Sequence, residues 1–191
     1  MDHPIEYTAA IAEFEKMDKN HRDDFIFSFI GYALYLTQTT EKLLMNVIWA
    51  DIVVNNKSET SKELNLFFDT YEFGKHTMGI LIKEVNKILN LPTDEEKKLK
   101  DVLDQRNYLV HNYFKVNESL LHAKDGYNII IRDFINYINS ANEIEKILQV
   151  YLFQYLEKVG YSKEMIQRKI DEEVEKWKQT RIDNSYQSIP S

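Results

Sequence analysis

From Arg22 to Val54 the chain carries apolar residues at three- and four-residue steps without a single proline. Phe25, Phe29, Tyr32, Leu36, Leu43, Val47 and Ala50 form one stripe, and Ile26, Ile30, Ala33, Leu44 and Ile48 form a second. That spacing predicts a helix, and two adjoining stripes predict one buried on more than one side. With 5 Gly and 3 Pro in 191 residues, the chain has too few turn formers for a sheet-rich fold. The class is therefore all-α. The length and a hydrophobic fraction of 43% suffice for one domain with a substantial core.

The remaining periodicity divides the chain. Residues 1–21 read as an N-terminal segment, with a short helix over Ala9–Met17 carrying Ile11, Phe14 and Met17. Residues 22–160 read as the helical domain. Within it, Thr60 and Glu63 have capping-box spacing for a short helix through about Tyr71, and Gly74 marks a turn. A helix over 75–89 follows. Thr93 reads as the N-cap of the next helix, with Glu96 as its reciprocal partner and Asp94, Glu95 and Glu96 facing the positive end of the dipole. Leu99, Val102, Leu103, Leu109, Val110 and Phe114 mark that helix's apolar face through residue 115. Residues 116–126 read as a loop, 127–159 as a long helix stopped at Gly160, and 161–182 as a charged C-terminal helix capped by Ser162. Met165, Ile166, Ile170, Val174 and Trp177 are its narrow apolar face, and 183–191 read as a disordered tail.

Composition narrows the chemistry. The chain has no cysteine, which excludes thiolate nucleophiles, disulfides and cysteine-based zinc sites and suits a reducing, cytoplasmic setting. The opening residues lack the pattern of a signal peptide. The apolar run Phe25–Leu36 is far short of the roughly 18–20 residues that cross a bilayer, and no membrane association is expected. A formal net charge of −7 argues against a broad electrostatic hold on nucleic acid, so any RNA contact must be local. His3, His21, His76 and His122 form no set with metal-ligand spacing, and Asp171-Glu172-Glu173 among lysines reads as a solvated face; no metal or cofactor is expected.

One strip concentrates chemistry: Arg106-Asn107-Tyr108-Leu109-Val110-His111-Asn112-Tyr113. Cleaving RNA without metal requires a base for the ribose 2′-hydroxyl and a cation for the phosphoryl oxygens. An imidazole and a guanidinium meet those needs. Asn107, four residues before His111, shares a helical face with it and is placed to orient the imidazole or to hold a phosphate oxygen. Arg106 and His111 themselves stand roughly 140° apart around a helix; the arginine's length closes part of that gap, and a second subunit related by a two-fold axis would bring two copies of the strip into one cleft. Spacing alone is weak, since an Arg-x4-His pair arises by chance in about one chain of this composition in eight. Taken singly, Arg106 reads as a surface or ion-paired arginine, His111 as a hydrogen-bonded boundary histidine, Asn107 as a solvated amide, and Tyr113 as a core aromatic with a polar tip.

The whole strip resembles the R-x4–6-H motif of the HEPN superfamily, including the polar residue after the arginine and the H-x-Y extension of HEPN toxins paired with minimal nucleotidyltransferase antitoxins. The long first helix, with Gly31, Gln38 and Glu41, is similar as well, and the resemblance spans roughly residues 22–159. It implies an up-and-down helical bundle, a homodimer with paired motifs, metal-independent endoribonuclease activity, and a role in toxin–antitoxin or antiviral defence. Under it Arg106 and His111 are catalytic, Asn107 supports them, and Tyr113 is the residue an antitoxin nucleotidyltransferase would adenylylate. The N-terminal segment and the extra C-terminal helix lie outside it. A non-catalytic HEPN-like module binding a nucleotide or a partner protein is the alternative.

Overall fold

The computed structural model describes residues 4–55, 77–123, 125–158 and 160–187. They are all-helical: α1 (Tyr7–Lys16), α2 (Lys19–Asn55), α3 (Met78–Leu89), α4 (Thr93–His111), α5 (Tyr113–Asn117), a short three-ten helix (Glu118–His122), α6 (Gly126–Lys158) and α7 (Lys163–Gln187). The helix read through Tyr71 and the turn at Gly74 lie outside the described residues. None of the helices described is long and apolar enough to cross a membrane.

The bundle is organised on α2 and α6. Polar ties between them climb in the same sense on both: Asp23 accepts from Tyr127 at 3.2 Å, Thr37 meets the Tyr137 hydroxyl at 2.8 Å, and Thr40 donates to Glu145 at 3.2 Å. The two helices therefore run parallel. On α4 the partners run the opposite way, with Tyr151 donating to Glu95 at 3.0 Å and Tyr113 donating to Asp133 at 3.0 Å, so α4 is antiparallel to α6. Leu36, Leu44 and Val47 of α2, Val85 of α3, Leu99 and Val102 of α4, and Ile131, Ile138 and Leu148 of α6 fill the core between them. Both stripes on α2 are used, which is why a 37-residue helix needs no single polar face.

Several boundaries depart from the sequence reading. The described part of the N-terminal segment read over 1–21 packs on the bundle: Phe14 is buried, and the Ile5 backbone exchanges two hydrogen bonds with the Asn139 side-chain amide at 2.8 and 3.0 Å. Thr93 is already helical, and Pro92 is the capping residue; the Glu96 N–H reaches the Pro92 carbonyl at 3.0 Å, while the Glu96 carboxylate accepts from Asn86 at 3.1 Å. Proline has no N–H to satisfy and holds an extended entry, so no capping box forms. Residues 116–126 are largely helical rather than loop, being taken up by α5 and the three-ten helix.

Two glycines are required by space or conformation. A side chain at Gly126 would stand 1.8 Å from the Leu120 carbonyl oxygen, so only glycine lets the chain turn into α6. Gly160 has φ +86 and ends the pairing of α6 with the bundle. Ser162 then caps α7, its hydroxyl accepting from the Met165 N–H at 3.3 Å. With no glycine or proline between Ser162 and Gln187, α7 continues to Gln187, five residues beyond the point where the sequence reads as tail.

Candidate functional site

On α4, Leu99 and Val102 point into the core, and Arg106 follows at the next helical step on that same face. Its guanidinium is accordingly inward. One Nη donates to Glu41 of α2 at 3.2 Å, the other to the Asn107 side-chain oxygen at 3.0 Å, and Nε is buried without a hydrogen-bond partner. Behind it lies a polar seam joining Thr37 with Tyr137, and Thr39 and Thr40 with Glu145. Burial pushes the Tyr137 phenol up, so it stays protonated and able to donate.

His111 ends α4 on the opposite side. Its imidazole is exposed and makes no hydrogen bond or ion pair among the described residues. Asn107, expected to orient that imidazole, is instead engaged by Arg106. Within one chain the arginine and the histidine diverge.

The helix breaks at Asn112, with φ −128 and ψ −24, and restarts at Tyr113. The break takes Tyr113 out of line with Arg106. The tyrosine is 1% exposed, packs edge-on against Tyr108 and Phe134, and its hydroxyl donates to Asp133. Burial first, and then the Asp133 carboxylate, push its phenol far above the usual tyrosine range. In this conformation the Tyr113 hydroxyl is sequestered from a modifying enzyme.

Two recesses flank α4. The one towards α2, about 200 Å³, is apolar and lined by Ile30, Leu34, Thr37, Val110, Phe114 and Tyr137. The one towards α6, about 310 Å³, is polar and lined by Gln105, Tyr108, Tyr113, Asp133, Asn136 and Tyr137. Around the first, large apolar side chains stand in solvent: Leu34 is 47% exposed, Tyr35 58%, Val110 40% and Phe114 36%.

The sequence reading missed Glu145, Asp133 and Tyr137. A signal for the seam exists: Thr37-Gln38-Thr39-Thr40-Glu41 interrupts the apolar run of α2, and Glu145 interrupts that of α6. Two buried helices with polar interruptions are expected to place them face to face.

Fold and site together define an all-α bundle with a basic residue held in a polar inter-helix seam and a free histidine at the end of the same helix. No family model, no curated protein and no solved structure matches the chain.

Proposed function

We propose that the protein is a metal-independent endoribonuclease of the HEPN type, working as a cytoplasmic homodimer and serving as a toxin or antiviral defence effector. The observation that carries this reading is the exposed, unengaged imidazole of His111 at the edge of an uncovered apolar surface. Since Arg106 and His111 diverge within a chain, the active cleft would be completed when a second copy covers Leu34, Val110 and Phe114. His111 takes the proton of a ribose 2′-hydroxyl as it attacks the adjacent phosphorus, or returns one to the departing 5′-oxygen. Arg106 holds the phosphoryl oxygens, its direction fixed by Glu41 and Asn107. The products are a 2′,3′-cyclic phosphate and a free 5′-hydroxyl.

Incubating the chain with mixed RNA in EDTA tests this. Fragments with 2′,3′-cyclic phosphate ends, absent with His111→Ala and Arg106→Ala, are expected. Cleavage that survives in either variant overturns the mechanism.

A second reading, a non-catalytic module that binds a nucleotide or a partner protein, is favoured by one observation: the Arg106 guanidinium is already ion-paired to Glu41. Saturable nucleotide binding by a chain that leaves RNA intact would select it.

A further inference from the structure

The bundle leaves one feature without a use. α7 shares little packing with the other helices. Ile166, Ile170, Val174 and Trp177 fall on one side of it within about 80° at 100° per residue. With Trp49, Leu156 and Tyr161 they line an open apolar groove of about 450 Å³. Yet Ile170 is 50% exposed, Val174 46% and Trp177 64%. Trp49 stands fifteen residues past Leu34 on α2, about 22 Å along the axis, so the groove is separate from the motif.

We propose that this groove receives the α7 helix of a second copy, running antiparallel. The required occupant is an amphipathic helix with a narrow apolar stripe, and α7 is one. Charge sets the direction. Along the stretch of α7 that carries the stripe, the first half, 163–170, holds Lys163, Arg168 and Lys169 against the single acid Glu164, whereas the second, 171–178, holds Asp171, Glu172, Glu173 and Glu175 against Lys176 and Lys178. An antiparallel partner lays basic half on acidic half, and a parallel one lays acid on acid. The stripe is nearly symmetric about residues 171 and 172. In that register Ile166 meets Trp177 of the other copy and Ile170 meets Val174, so one patch serves both subunits, as a two-fold contact requires. The pairing is independent of the ribonuclease reading.

The cysteine-free chain permits a direct test. Full-length Ile170→Cys, carrying a tag that distinguishes its mass, is mixed with full-length Val174→Cys and oxidised gently. The mixed disulfide is expected to exceed either self-disulfide several-fold. Predominant self-disulfides would mean a parallel pair, and no disulfide would mean no pair; either overturns the proposal. Light scattering gives the second measure: combining Ile170→Glu with Trp177→Ala should lower the mass of the assembly, with helix content by circular dichroism unchanged. An unchanged mass, or a wild-type chain that is monomeric throughout, overturns it too.

Discussion

α6 and α7 follow one another in the chain and are built on the same three- and four-residue apolar spacing, but the bundle covers only the first. Ile131, Ile138 and Ala141 of α6 are fully buried, whereas Trp177 of α7 is 64% exposed. The difference lies in width. On α6 the apolar positions spread over enough of the surface to meet α1, α2 and α4 together, with Tyr137, Glu145 and Asp133 matched to polar partners. On α7 the stripe is one residue wide and flanked by charge, so it can seat a single helix and no more. Spacing determines that a helix forms, and stripe width determines how many neighbours it needs. α4 repeats the contrast across its own circumference, with Arg106 on the covered side and His111 on the open one.

The largest effect expected from breaking this contrast is in the α2–α6 core. Leu44 is fully buried and Leu34 is 47% exposed, both on α2. Leu44→Ala should cost about 2–5 kcal/mol, and Leu34→Ala less than about 0.5 kcal/mol, by urea unfolding of the chain. Equal losses would mean that Leu34 is covered as well, and a loss at Leu34 that grows with protein concentration would identify a second copy as its cover.

Next in size is the motif helix. Arg106→Ala leaves Glu41 and Asn107 without their donor and is expected to cost about 1–3 kcal/mol. His111→Ala removes an exposed ring that holds nothing in place and should stay within about 0.5 kcal/mol of the parent. A double-mutant cycle of Arg106→Ala with Glu41→Ala checks the source of the first loss. Additive effects would show that the ion pair contributes nothing, and that the cost comes from packing the side-chain stem.

How much of this was legible follows from the same residues. The helices of α2 and α6 could be read because their stripes are long, free of proline and crossed by a single internal glycine, Gly31, and Gly160 and Ser162 announce the passage to α7 through a left-handed residue and a cap. Arg106 facing inward was legible too, in that it falls between Val102 and Leu109 on a face otherwise apolar. The break at Asn112 was not, because asparagine tolerates a helix interior and an irregular conformation almost equally, and packing of Tyr113 beneath α6 decides between them. The Pro92 entry was obscured by a good alternative cap beside it. The polar seam needed the pairing of α2 with α6, a long-range fact that no local pattern carries.

Alkaline pH offers a smaller and sharper test of the covered side. The Tyr113 and Tyr137 phenols are both raised, chiefly by burial. Above about pH 10 the unfolded chain sheds these protons while the folded chain keeps them, so the native state binds more protons and loses stability as pH rises. Their contribution is whole below that point and declines above it. Tyr113→Phe should flatten the decline measured by urea unfolding between pH 9.5 and 11, an interval set about the ordinary phenol value. A slope unmoved by Tyr113→Phe would mean that its hydroxyl is open to solvent in the native protein, which would also restore it as a surface for modification.

The smallest expected effect concerns whether α7 stands apart energetically as it does in its packing. Ser162→Ala removes the one side-chain cap at its start, worth about 0.5–1 kcal/mol to the helix it caps. Because α7 shares little packing with the bundle, that loss should appear as faster amide exchange in the first turns of α7, with no change in the unfolding midpoint of the remaining helices at low protein concentration. If the midpoint falls with the cap, α7 unfolds as one unit with α2 and α6, and the open groove beside Trp49 is closed in solution by the chain's own atoms. If only α7 responds, its stripe is free to be covered from outside, and the deficit should shrink as protein concentration rises and a second copy takes up the groove.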